Sequence, residues 1–180
     1  MTRPSAARLG AAAFGLVAVA LLTVGIVKLV DDGGDGASRP PPTAVAAALR
    51  AATPASSPFA DLTRTRVAVG GHVLDVVVAD TEPERETGLR RRRDLGRYGG
   101  MLFVFPSPTT VGFTMSTVPV ALDIGFYDAA GAVVDRLRME PCAGTDASCP
   151  VYRARASFSY ALETLPGRLP HGALTGAAAG

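Results

Sequence analysis

The hydrophobic pattern gives the chain two textures. Residues 9–27 form one uninterrupted uncharged and mostly apolar run. As a helix rising about 1.5 Å per residue, it spans roughly the 30 Å of a bilayer core. Beyond Thr65 the apolar residues come instead in short runs divided by turn residues. Val67 and Val69 lead into Gly70-Gly71, and an apolar run through Val78 follows, which reads as a β-hairpin. Thr81 with Glu84 three residues on offers a capping box, so a short helix is expected through about Arg90. Residues 101–105 are continuously apolar and closed by Pro106, a run of strand length. Residues 111–115, 122–127, 133–139 and 158–165 read as further strands. In the last of these Phe158, Tyr160 and Leu162 alternate with Ser159, Ala161 and Glu163. Many short strands spaced by turns predict a mostly β domain, a compact β-sandwich or jelly-roll-like barrel with one short helix.

The flanks of the long run set its orientation. Arg3 and Arg8 precede it, Lys28 can snorkel to the far interface, and Asp31, Asp32 and Asp35 follow. Basic residues stay on the cytoplasmic side, which puts the N-terminus inside and the rest outside. A cleaved signal peptide is the rival reading. Its apolar region is usually about 7–15 residues long and ends at a small-residue cleavage site, whereas Ala44-Val45-Ala46 lies far past this run. Either way the domain is exported. The expected layout is a cytoplasmic segment over 1–8, then a transmembrane signal anchor over 9–30, with Leu9 and Val30 at its ends. A disordered Pro/Gly/Ala-rich linker over 31–62 follows, then the β domain over 63–168 and a flexible tail over 169–180. The membrane is therefore the one partner the pattern names.

Charge and cysteines narrow the classes. The net charge of +2 is too small to imply nucleic acid, and the chain has no Trp. Its few aromatics do not interleave with basic residues as single-strand binding requires. Six residues separate Cys142 from Cys149, and in an oxidising compartment a disulfide is the natural outcome. So small a loop stabilises by about 2–3 kcal/mol. A redox pair is typically separated by two residues, and a metal site needs about four ligands. His72 and His171 stand alone in turn or tail positions, so no metal or other cofactor is expected.

No nucleophile elbow, phosphate loop or zinc-protease helix is present. Three features remain. The run from Arg90 to Arg93, with Arg97, is an anion site or the basic end of a helix that starts with Glu82, Glu84 and Glu86. Asp123 interrupts an apolar strand. It points to solvent, or it faces inward and needs a partner such as Arg85 or Arg92. Phe113-Thr114-Met115-Ser116-Thr117 mixes apolar and hydroxyl groups and lines a ligand groove or belongs to the core.

The same segments resemble the DUF192 family, a group of mostly exported bacterial and archaeal domains without an established activity. The resemblance runs through Glu84-Arg85, Gly88-Leu89, Arg92, the 100–105 run, Phe113, Met115, Leu122-Asp123-Ile124, the Pro-Cys and Cys-Pro pair and Leu162-Glu163. It implies a compact β-sandwich of jelly-roll type and supplies no reaction. This chain departs from the family's Phe-Trp-Met-Lys-Asn-Thr stretch, which here reads Phe113-Thr114-Met115-Ser116-Thr117-Val118. It also carries Arg90 and Arg91 where the family commonly has Met and an apolar residue. The resemblance carries over Arg85, Arg92, Met115 and Asp123 as ligand-binding candidates. The expected protein is a membrane-anchored, extracytoplasmic, non-catalytic binding or accessory module for a small-molecule, cell-wall or protein ligand. One alternative is a hydrolase or transferase using Asp123 with Arg85 or Arg92, although glycoside hydrolysis usually needs two carboxylates. A structural domain that binds a protein partner is the other, and it would show an exposed apolar patch.

Overall fold

The computed structural model describes residues 43–177. The expected cytoplasmic segment, the anchor over 9–30 and the first part of the linker lie outside the described residues. Among those described, no helix is long and apolar enough to cross a membrane.

The domain starts earlier than the expected boundary at 63. Helix α1 (Ala44–Arg50) is capped by the Thr43 hydroxyl, which accepts the Ala46 N–H at 3.2 Å. Strand β1 (Thr53–Pro54) follows and pairs with the start of β2 (Thr63–Val69). Val45 and Ala48 are buried, and the Thr65 hydroxyl donates to the Ala48 carbonyl at 2.7 Å. Residues 43–62 are therefore structured rather than a disordered tether, because a few apolar side chains find partners distant in sequence. The predicted hairpin forms between β2 and β3 (His72–Ala79), with Val69 opposite His72. Gly70 and Gly71 make the turn at φ 56° and 87°, the positive values a tight hairpin needs.

Helix α2 (Glu82–Thr87) carries the chain across to β4 (Gly100–Thr109), which lies parallel to β3. The capping box is realised at Glu84, whose carboxylate accepts the N–H groups of Thr81 at 2.9 Å and Asp80 at 3.0 Å. The helix ends three residues before the expected Arg90, because Gly88 adopts φ 45° and turns the chain out of it. After β5 (Phe113–Thr114) come β6 (Leu122–Tyr127), β7 (Val133–Met139), β8 (Val151–Tyr152), β9 (Phe158–Thr164) and β10 (Leu174–Gly176).

Eight strands join one mixed sheet in the order β1-β2-β3-β4-β9-β6-β7, with β10 also on β2, and β5 pairs with β8 apart from it. The sheet pairing differs from the two separately paired layers expected of a sandwich; α2 is the short helix expected in the β domain, and α1 precedes that domain's expected start. The tail is not free either. Thr175 stands opposite Ala68, and Leu174 is fully buried.

Both faces of the sheet are covered. One bears Val77, Met101, Phe103, Ile124, Phe126 and Ala161 beneath Leu89, Leu95 and Tyr98 from the crossover. The other bears Val67, Val76, Leu102, Tyr160 and Leu162 beneath Val45 of α1. Strand β9 runs between β4 and β6 and is buried at all seven positions. A strand covered on both sides has no solvent face for its alternation to mark.

Candidate functional site

The turn that ends α2 opens a half-enclosed cavity of about 400 Å³ against β4 and β5. A Cβ built on Gly88 would lie 3.3 Å from the Phe103 ring, so the missing side chain lets the turn come down onto that wall. Phe103, Phe105 and Phe113 line the interior. Phe103 and Phe113 meet edge to face, with ring centroids 5.2 Å apart and an interplanar angle of 89°.

Glu163 lies within this aromatic setting. It stands on β9 between Met101 of β4 and Ile124 of β6, on the same sheet face as the aromatic core. Only 5% of it is exposed, and its carboxyl has no hydrogen bond or ion pair among the described residues. Burial alone pushes its pKa up from 4.5 to about 8, so at neutral pH it is mostly a neutral acid. A neutral carboxyl can donate a hydrogen bond to a ligand, and a charged one can pair with a cation.

The rim is charged but largely self-satisfied. Arg85 of α2 donates to the Asp80 carbonyl and, at 2.9 Å, to the Val104 carbonyl, and lies 5.2 Å from the centre of the Phe105 ring. Arg90 donates to the Ser116 carbonyl at 3.1 Å and pairs with Asp146 at 2.7 Å. Asp146 also accepts from the Thr114 hydroxyl at 2.9 Å, and the bonds from Arg90 and Thr114 hold its pKa below the ordinary carboxylate value. At the other end of α2, burial and then the Glu84 charge raise the pKa of Asp80.

Asp146 is placed by the cysteines. Cys142 and Cys149 form a disulfide with an S–S distance of 2.06 Å and a Cα–Cα distance of 5.9 Å, as their spacing suggested. The closed loop packs on Ser116, whose hydroxyl donates to the Gly144 carbonyl at 2.9 Å. Arg90 thus ties the end of α2 to the 114–117 segment and the disulfide loop. Residues 90–93 lie beyond Thr87, outside α2, but Arg90 Nε reaches back to the Glu86 carbonyl in its last turn at 3.0 Å, while Arg92 turns away to Phe59.

The structure separates the other candidates. Arg85 reaches the cavity. Arg92 lies 4.2 Å over the Phe59 ring and donates to the Pro58 carbonyl at 2.9 Å. Met115 is fully buried in the core. Asp123 pairs with Arg138 and accepts the Gly167 N–H at 2.6 Å, rather than meeting Arg85 or Arg92. It borders a separate, shallower hollow of about 670 Å³ with His72, His171 and Arg136. This hollow brings the two histidines to one place, although the sequence sets them far apart. Arg136 there is held by the carbonyls of Leu169 and Pro170. No group of three or more His, Cys, Asp or Glu fit to hold a metal occurs among the described residues.

Sequence reasoning did not single out Glu163 as a site residue, because alternation only set it with Ser159 and Ala161 against Phe158, Tyr160 and Leu162. The available signal was a lone acid near the end of a strand-length run that is otherwise uncharged.

A model of the DUF192 family, described as "Uncharacterized ACR", matches residues 65–176. Two solved structures are similar. One is a protein of unknown function from Novosphingobium aromaticivorans DSM 12444, at 28% identity and TM-score 0.53, covering 67% of this chain and 86% of the other. The second is described as a "putative transcription regulator" from Sinorhizobium meliloti 1021, at 25% identity and TM-score 0.52, covering 63% and 92%. No curated protein matches the chain.

Proposed function

The chain belongs to the DUF192 family, and we propose that its domain is a non-catalytic binding module that seats a small, largely apolar ligand in the cavity between α2, β4 and β5. The observation that carries this is Glu163, a carboxyl 5% exposed and without a partner among the described residues, set in an aromatic cavity open to solvent. Burial penalises the charged form of this carboxyl, and a ligand that pairs with it offsets that penalty. About 400 Å³ is within the usual range for small-molecule pockets, which pair apolar walls with few polar contacts.

Binding rather than turnover is favoured by how the lining hydroxyls are engaged. Thr87 donates to the Pro83 carbonyl and Thr114 to Asp146, so neither is presented to a base as a nucleophile. A hydrolase built on Asp123 with Arg85 or Arg92 lacks support, because those three side chains make contacts in three different places. The same proposal puts the domain outside the cytoplasmic membrane on an anchor over residues 9–30. The long uncharged run and the Cys142–Cys149 disulfide support that placement.

The test is ligand-observed NMR on the full chain in nanodiscs, with a panel of single-ring fragments. Val111 lines the cavity and is 45% exposed, so Val111→Trp obstructs the mouth without disturbing the core. Fragments should bind the wild type and lose saturation transfer with the variant. Equal signals from both proteins would place binding elsewhere and end the proposal.

A further inference from the structure

We infer that the ligand is a cation, a primary amine on a ring-sized apolar body, with its ammonium on the Glu163 carboxylate and its body against Phe103 and Phe113. The inference rests on the binding reading above and adds the sign of the ligand's charge.

The first argument is the charge left over after the protein's own pairings. Four carboxyl groups line the cavity, Glu82, Glu86, Asp146 and Glu163, against two guanidinium groups, Arg85 and Arg90. Arg90 is committed to Asp146 at 2.7 Å, and Arg85 is held by backbone carbonyls on the rim. A ligand that enters therefore meets Glu163 inside and Glu82 and Glu86 at the mouth. Arg85, bonded to neutral carbonyls, keeps its charge, so an anion would meet that one cation at the rim beside Glu82 and Glu86, whereas an ammonium gains the Glu163 carboxylate inside.

The second argument is the walls. Aromatic rings attract cations through their negative faces, and this wall already carries one, with Arg85 5.2 Å from the centre of Phe105. Phe103 and Phe113 border the same cavity with no cation of their own among the described residues. An ammonium near them would be held by ring and carboxylate together, in a setting where charge-assisted hydrogen bonds are strong.

The third is how readily Glu163 changes form. The charged groups facing the cavity are Glu82, Arg85 and Glu86 from α2, Arg90 beyond it, and Asp146 from the disulfide loop. The strand neighbours Met101 and Ile124 add none. With a pKa of about 8, the carboxyl is about one unit from ionising at pH 7, so a cation has only about a tenfold population ratio to overcome. Binding should then expel the Glu163 proton to solvent, and affinity should rise with pH toward 8 while the amine stays charged.

Isothermal titration calorimetry on the full chain in nanodiscs at pH 7 tests this with three ligands sharing one phenyl ring: benzylamine, benzyl alcohol and phenylacetate. Benzylamine should bind at least about tenfold tighter than benzyl alcohol, with phenylacetate weakest. In buffers of different ionisation heat, benzylamine binding should release up to one proton and benzyl alcohol none. Glu163→Gln, close in shape but unable to ionise, should remove the proton release and bring benzylamine down to the affinity of benzyl alcohol measured on the same variant. Equal amine and alcohol affinities, or an amine preference that survives Glu163→Gln, would overturn the cation inference and leave the binding reading standing. If none of the three ligands binds the wild type and the single-ring fragment panel also fails, both fall together.

Discussion

Asp123 and Glu163 stand on neighbouring strands of one sheet, with Asp123 beside Thr164 and Glu163 beside Ile124, yet they are opposite kinds of carboxyl. Asp123 keeps 17% of its side chain exposed and is satisfied twice, by Arg138 and by the Gly167 N–H. It joins β6 to β7 and to the turn after β9, a fastening role. Glu163 has greater burial and no partner among the described residues, and it faces a cavity rather than a neighbour. A carboxyl in an apolar strand is therefore not informative by itself. Whether the fold supplies its partner separates the structural group from the one left for a ligand.

The largest effect that would separate the two is the pH dependence of stability. The folded-state pKa of Glu163 is raised above the unfolded value, so between 4.5 and about 8 the folded chain holds more protons than the unfolded one. Its contribution is fully present below 4.5 and is lost as pH rises through about 8, with a slope of up to about 1.4 kcal/mol per pH unit in that window. Urea unfolding of the wild type at pH 5, 7 and 9 should show the decline, and Glu163→Gln should flatten it. A decline of the same size in both proteins would assign the titration to another group.

Next in size is the disulfide, which lies on the Glu163 side of the comparison through Asp146 and Arg90. Replacing both cysteines with serine should cost about 2–3 kcal/mol. Hydrogen exchange should quicken in residues 114–117, which the loop supports, and leave β6 and β7 protected. Faster exchange in β6 and β7 as well would mean that the loop serves the whole sheet.

The smallest effect is expected at Asp123. Asp123→Asn keeps the shape but weakens the bonds to Arg138 and Gly167, and because Arg138 is about half exposed, solvent screening limits the cost to about 1 kcal/mol. Denaturant midpoints measure it, and single-ring ligands should bind the variant unchanged.

Features encoded locally were legible in the sequence. Gly70-Gly71 marked the hairpin, Thr81 and Glu84 the start of α2, and the 101–105 run the core of β4. The cysteine spacing gave the disulfide. Elements that depend on distant partners were not legible. Helix α1 and strand β10 are short and rich in Ala or Gly, and both gain their order by packing on β2. Of the site, Arg85 and the Phe113 segment were singled out, but Glu163 was not. Alternation separates faces only where a strand has a solvent side, and β9 has none because crossover elements cover one side of the sheet and α1 the other. Asp123 stood out in the sequence, but nothing local reveals that Arg138, directly across the β6–β7 hairpin, is its partner.

The most direct test is the titration of Glu163 itself, followed by NMR of carboxyl-labelled glutamate in the full chain and assigned with Glu163→Gln. A buried carboxyl without a partner should titrate near 8, with its proton lost at lower pH when benzylamine is present. Titration near the ordinary 4.5, unmoved by the amine, would show a solvated or already paired carboxylate and contradict the account.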